Sequence, residues 1–322
     1  MADQLIKVIT KDEAFRAFAV DGTKLVQEAA SSHETSRLAT VVLGRALLAT
    51  EILAQATLKG EERLNVKMAG RGPIGQIVTE ADTKGAVRGY VSNPEIEPIV
   101  NDDNQLNVAG AVGNNGSFQV TKFAPYSNPY IGQSIMVSGE IGDDFTYYLT
   151  HSEQIPSVIG VGVTMNPDNT VKAAGGFLVQ ALPGASDDQL TGLNEKLQKM
   201  PALATLLGNK KGPLAILDAI LGEQKYSQLQ SVSIGLAAEP SKDAYAAQLA
   251  TLPSHEIQAM IDEDGGAEVR GKFSGKRHQF SAHELDVILQ DVLKREAQQK
   301  NEEAQDDDSD AANSADEKNK LC

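Results

Sequence analysis

Apolar positions along the chain change period several times, and the changes divide it. QLIKVIT (4–10) and AFRAFAVDG (14–22) read as strands joined by the polar TKDE. From Ser36 to Leu58 the spacing becomes helical, with Ser36 placed as N-cap. Only Arg37, Arg45 and Glu51 are charged there, so the helix is expected to be buried on most sides. Short segments punctuated by glycine follow: ERLNVKMAG, GPIGQIVTEAD, GAVRGYVSN, QLNVAGAVG, SFQVTKFAP and QSIMVSGE. Their alternation predicts antiparallel strands and hairpins. GDDFTYYLTHSEQIP predicts a helix opened by Asp143 or Asp144 and closed by Pro156, and VIGVGVTMNPDNTVKAAGGFLVQAL predicts two strands joined by the turn NPDN.

The pattern implies an α+β fold, an antiparallel sheet domain with helices packed on one face, over residues 1–183. A loosely amphipathic helical linker occupies 184–230, with helical patterning from Ser186 to about Gly222. A small module of helices and one hairpin covers 231–295: SKDAYAAQLAT and SHEIQAMIDE as helices, GGAEVRGKFSGKRHQ as the hairpin, SAHELDVILQDVLKRE as the last helix. Residues 296–322 are low-complexity, acidic and free of aromatics, the composition of a disordered tail.

Composition narrows the function classes. Of 322 residues 41% are hydrophobic, and the formal net charge is −15. Nine acids against three bases in 296–322 account for −6 of it. Phosphate affinity needs clustered Lys and Arg, so nucleic-acid and anionic-membrane partners are not expected. The N-terminus lacks a basic stretch followed by an apolar block, and no uncharged apolar run approaches a membrane span, which predicts a cytoplasmic location. The single cysteine, Cys322, excludes an intramolecular disulfide and leaves an intermolecular one open.

Candidate chemistry is thin. Gly70, Gly72 and Gly75 form G-x-G-x-x-G, but Pro73 interrupts it and a strand follows, so a hairpin connection is expected instead of a dinucleotide site. His151, Ser152 and Glu153 bring base, nucleophile and acid types together in sequence, yet neighbours on a helix point in different directions and no G-x-S-x-G elbow exists. No catalytic residues are therefore assigned. His255, His278 and His283 have metal-ligating chemistry without a spacing that places them on one face. Arg270, Lys272, Lys276 and Arg277 make a small basic patch on the hairpin. No G-x-x-x-x-G-K-[ST] loop is present, so nucleotide use is not expected.

GPIGQIVTEAD, AVRGYVSNP, YYLTHSEQIPS, GGFLVQALPGA and MIDEDGGAEV together resemble the heat-shock protein 33 family of redox-regulated bacterial holdase chaperones, in order and spacing over nearly residues 1–290. The resemblance implies an α+β N-terminal domain for clients and dimerisation, a metastable helical linker, and a C-terminal module that holds zinc through a C-x-C and a C-x-x-C pair. Unfolding client proteins are the implied partners, with a homodimer left open. At the four ligand positions stand Ala238, Pro240, Gly271 and Ser274, so neither the zinc nor its disulfide switch carries over. No cofactor is expected.

Structural zinc supplies an apparent ~10–16 kcal/mol to small modules. Without it, residues 231–295 must stand on Phe273, Phe280, Ile257, Met260, Ile261, Leu285, Ile288, Leu289 and Val292. The expected activity is thus a holdase that is constitutive or heat-gated. The alternatives are an interaction or scaffold protein that keeps the fold and, more remotely, a hydrolase using His151 and Ser152.

Overall fold

The computed structural model describes residues 3–208 and 211–298. Contacts gather the chain into two units: Met1–Ala238 with Lys272–Gly275, and Glu239–Gly271 with Lys276–Cys322.

The first unit begins with β1 (Gln4–Thr10), β2 (Phe15–Asp21), α1 (Thr23–His33) and α2 (Arg37–Thr57). Next come β3 (Arg63–Ala69), β4 (Gln76–Asp82), β5 (Ala86–Val91), α3 (Val108–Val112), β6 (Ser117–Phe123), β7 (Tyr130–Ile135) and α4 (Gly142–His151). It ends with β8 (Ser157–Met165), β9 (Val171–Ala181), α5 (Asp187–Gln198), α6 (Leu203–Leu207), α7 (Pro213–Leu221), β10 (Tyr226–Ser233) and β11 (Gly235–Leu236). An antiparallel five-stranded sheet runs β10-β1-β2-β9-β8, and a six-stranded sheet runs β11-β5-β4-β3-β6-β7, antiparallel except for β11 beside β5.

Helix α2 lies between the sheets, packed on β4 and β5 on one side and β8 and β9 on the other. That position accounts for its scarcity of charge. Every residue from Leu38 to Ala54 is buried except Arg45, which reaches Glu140 at 2.7 Å. Ser36 caps it as expected, accepting from the Ala39 N–H. Among the described residues α2 is long and apolar enough to cross a membrane, but 89% of that window is buried inside the protein.

Three sequence expectations change here. QLNVAGAVG was expected as a strand and forms α3, because the Asn107 side chain accepts the Gly110 N–H (2.7 Å) and captures the helix start. A Cβ on Gly70 would stand 2.1 Å from the Gly113 carbonyl, so the glycines of AGRGPIG let the β3–β4 connection press against the end of α3. QSIMVSGE stops being a strand at Ile135. Beyond it the backbone wraps the buried Asp144 carboxylate, which accepts N–H groups of Val137, Ser138, Gly139 and Ile141 at 2.7–3.3 Å. This wrapping holds Ile141 at φ +70°, ψ −61°, a strained turn for a β-branched residue. The helix α4 ends at His151, short of Pro156. Helix α1, whose Gly22 offers no capping side chain, and β10 had no sequence expectation.

The second unit holds α8 (Lys242–Leu249), α9 (Ser254–Asp264), the hairpin β12 (Gly266–Arg270) and β13 (Arg277–Ser281), and α10 over 282–298. Ser281 and Glu284 exchange capping hydrogen bonds at the start of α10. Its core is Tyr245, Leu249, Ile257, Phe280, Leu285, Ile288, Leu289 and Val292, with Met260 and Ile261 half-buried against it. Phe273, expected in this core, belongs to the first unit, where its ring meets Tyr90 edge-on at 5.3 Å.

Candidate functional site

Strands β1, β2 and β9 carry apolar residues at consecutive positions, the mark of strands covered on both faces. One face of the five-stranded sheet, with Leu5, Phe18, Val20 and Leu178, joins the core around α1 and α2. The other face, with Ile6, Val8, Ala17, Ala19, Phe177 and Val179, is covered by α5, α6 and α7. Helices on both faces, rather than one, are a departure from the sequence expectation. The reason lies in residues 187–221, whose apolar side chains seat on that second face.

The cover is uneven. In α7, Ala215, Ile216, Leu217, Ile220 and Leu221 are buried, and Tyr226 of β10 donates to Asp218 at 2.7 Å. Helices α5 and α6 bury no residue completely; Leu190, Leu193, Leu197, Leu203, Leu206 and Leu207 are half-buried. Ser186 and Gln189 form a capping box, so α5 is locally well specified although weakly packed. Its tethers are polar: Gln189 donates to Asp12 (3.0 Å) and Lys196 to the Leu221 carbonyl (3.3 Å). A cleft of about 210 Å³ remains beside it, lined by Asp12, Phe15, Leu193, Lys196, Ile220 and Leu221. Helix α6 approaches β8 across Gly162, where an added Cβ would stand 3.1 Å from Leu203 Cδ1.

The four degenerate ligand positions carry no zinc donor set. Ala238 and Ser274 fall in the first unit, Pro240 and Gly271 in the second, and of the four side chains only the Ser274 hydroxyl has a donor atom. Within the second unit His278 Nε2 lies 3.2 Å from Glu239, whose carboxylate also accepts from the Tyr245 hydroxyl (3.2 Å). The rings of Tyr245 and His278 lie 4.7 Å apart. Among the described residues no three His, Cys, Asp or Glu side chains gather as a metal site. A tetrahedral zinc needs four such ligands or three and a water. The residues present do not fit the zinc that the resemblance implies. Cys322 lies outside the described residues, as does most of the acidic tail.

The other candidates are held apart or occupied. His151 stacks on Tyr147 (3.8 Å), Ser152 donates to the Gln133 carbonyl (3.1 Å), and Glu153 pairs with Lys122 (2.8 Å) and the Tyr148 hydroxyl (2.5 Å). These three side chains do not form a relay. His255 and His283 are exposed on α9 and α10. In the basic patch Arg277 approaches Glu268 at 3.7 Å and Lys272 lies over the Tyr90 ring at 4.8 Å. What the sequence reading missed is the platform itself: Ile6, Val8, Phe177 and Val179 with Ile216, Leu217 and Ile220 above them. The signal was available in the non-alternating apolar runs of LIKVI and FLVQA.

The second face of the five-stranded sheet is thus apolar at its centre and covered by three helices, two of which bury no residue fully. The comparisons name the class. The family model described as Hsp33 protein matches residues 3–281. The 33 kDa chaperonin of Lactiplantibacillus plantarum is 44% identical over 289 residues, covering 90% of this chain and 98% of the relative. That of Streptococcus pyogenes serotype M1 is 40% identical, covering 90% and 99%. The crystal structure of the 33 kDa chaperonin (heat shock protein 33 homolog) from Thermotoga maritima superposes with a TM-score of 0.84 at 31% identity, covering 91% and 100%. The chain belongs to the Hsp33 family, and its function is that of a molecular chaperone.

Proposed function

We propose that this chaperone is an ATP-independent holdase, gated by heat or constitutively open, in which release of α5–α7 uncovers the second face of the five-stranded sheet to unfolding proteins. One observation carries the reading: that face is apolar at Ile6, Val8, Ala17, Ala19, Phe177 and Val179, yet two of the three helices on it bury no residue fully. Segments of low local stability open first, and apolar surface so uncovered is what a holdase presents. With no zinc donor set there is no metal for oxidation to expel, so the stability of the α5–α7 layer itself sets the threshold. The absence of a phosphate-cradling loop supports independence from ATP, the divergent partners of His151, Ser152 and Glu153 support a non-enzymatic role, and the net charge of −15 supports a cytoplasmic role without nucleic acid or anionic membrane.

The test measures aggregation of heat-denatured citrate synthase with the chaperone reduced or peroxide-treated. Suppression is expected to rise with temperature and to be the same in both redox states. A large peroxide activation that survives Cys322→Ser would refute redox-independent gating. No suppression up to the unfolding temperature would favour a scaffold role. Elemental analysis of the purified protein is expected to find zinc well below one per chain.

A further inference from the structure

The cleft beside α5 is built from three elements of the first unit. Phe15, at the start of β2, and Ile220 and Leu221 of α7 form its buried, apolar floor. One stripe of α5 forms its wall: Gln189, Gly192, Leu193 and Lys196 stand three and four residues apart, the spacing of a single helix face. Lys225, between α7 and β10, completes the rim.

Neither backbone geometry nor crowding requires glycine at position 192. The residue lies inside a regular helix without a positive φ, and an added Cβ would meet nothing within 4 Å. Glycine is among the poorest residues for a helix interior. Its effect here is to leave the middle of the stripe empty, between Gln189 and Lys196.

The rim is cationic and uncommitted. Lys225 Nζ has no hydrogen-bond or ion-pair partner among the described residues. Lys196 donates to the Leu221 carbonyl at 3.3 Å, which uses one of its three ammonium donors. Asp12, the acid of the cleft, already accepts the Ala14 N–H (3.2 Å) and the Gln189 amide (3.0 Å). Nearby in sequence, Asp218 and Glu223 pair with Lys211 at 2.9 and 2.6 Å. Two ammonium groups thus meet no carboxylate in a chain of net charge −15.

We propose that this cleft binds a small carboxylate with a hydrocarbon body, its charge answered by Lys196 and Lys225 and its hydrocarbon laid on Phe15, Ile220 and Leu221. Size restricts the occupant. A cavity of about 150 Å³ holds a benzene ring, and drug-sized ligands take roughly 300–1,000 Å³. At about 210 Å³ the cleft accepts one ring or a short chain, and not a peptide segment. A ligand that touches α5 together with α7 and β2 favours the seated position of α5 by mass action. The site stands on its own lining, whereas its bearing on client holding rests on the proposed release of α5–α7.

Titration calorimetry of the full chain with octanoate, well below its micelle concentration, tests the site, with octanol and octylammonium as chain-matched probes. Hydrogen exchange of the α5 amides and circular dichroism are followed alongside. One saturable octanoate site per chain is expected, with slower exchange in α5 when it is filled and at least tenfold weaker binding of the other two probes. Lys225→Gln, which gives up no hydrogen-bonded partner, is expected to weaken octanoate at least threefold. Gly192→Leu is expected to abolish the saturable site, although leucine is the better helix former. Should that variant unseat α5, Lys225→Gln decides alone. Absence of a saturable octanoate site overturns the proposal. So does equal affinity for octanol, and so does octanoate binding that the variants leave unchanged. The temperature at which citrate synthase aggregation is first suppressed separates this site from the gating reading. A threshold raised by octanoate supports both. Octanoate bound and α5 protected, with an unchanged threshold, sustains the site and counts against release of α5 as the gate.

Discussion

The two faces of the five-stranded sheet are made from the same strands, residue by alternate residue, and are covered to opposite standards. On one, α2 buries all but one residue between Leu38 and Ala54. On the other, α5 buries none and α6 none, and α7 alone is seated firmly. Both α2 and α5 begin at a capping serine, so local helix signals do not separate them. Tertiary position does: α2 is enclosed by two sheets, while the α5–α7 layer has the sheet on one side and water on the other. Opening free energies within one fold span a wide range, and this asymmetry puts the low end on the face proposed to receive clients.

The strongest way to sharpen the contrast is Ile216→Asp in α7. An unpaired charge in that buried site costs several kcal/mol, on the order of 3–5 by analogy with broken buried pairs. Release of the layer is expected to raise aggregation suppression at 25 °C toward its heated level, while amides of α2 keep their exchange protection. Simultaneous loss of protection in α2 would show that the two faces are not independent.

The sealed face has its own weak point in Glu51. The side chain is fully buried on α2, accepting from Gln55 (2.9 Å) with Asp82 nearby on β4, and burial pushes its pKa up to about 8. The folded state therefore holds a proton that the unfolded chain, near the ordinary carboxylate value of 4.5, releases earlier. Stability from this group is complete below the unfolded value, falls as pH rises between the two, and is lost by about pH 8. At about 1.4 kcal/mol per pH unit the loss across that window is a few kcal/mol. Glu51→Gln, neutral at all pH, is expected to match the parent at pH 5 and to exceed it in thermal midpoint at pH 9. Equal slopes for the two proteins would mean that Glu51 is ionised in the fold.

Smaller effects are expected on the loose face. Gly162→Val places bulk against Leu203, and overpacking costs roughly 1–3 kcal/mol. Faster exchange confined to α6 and a lower temperature threshold for client holding are the expected readouts. Gln189→Ala removes the tether to Asp12, worth about 1 kcal/mol, and should lower that threshold by a few degrees at most. A change in α2 protection with either variant would break the comparison.

Much of this organisation was legible in the chain. The Ser36-capped apolar helix, the alternating strands and the hairpin all follow from local pattern and residue type. Where the reading failed, a distant partner or a local capture won. QLNVAGAVG became α3 through the Asn107 cap and its fit against Gly70 and Gly72. YSQLQSVS became β10 because β1, more than two hundred residues earlier, offers it an edge. Phe273 left its expected core for a ring contact with Tyr90. Period and composition speak for the face a segment turns inward, not for the segment it meets.

The sequence by itself determined that the chain is α+β and that it lacks a thiolate set for zinc, because periodicity and ligand chemistry are properties of the residues alone. Only the tertiary structure decided that the five-stranded sheet is covered twice, tightly by α2 and loosely by α5 and α6. It also placed β7 at the edge of the six-stranded sheet. Burial and backbone pairing depend on which elements meet in space, and that is settled when distant segments compete for the same surface.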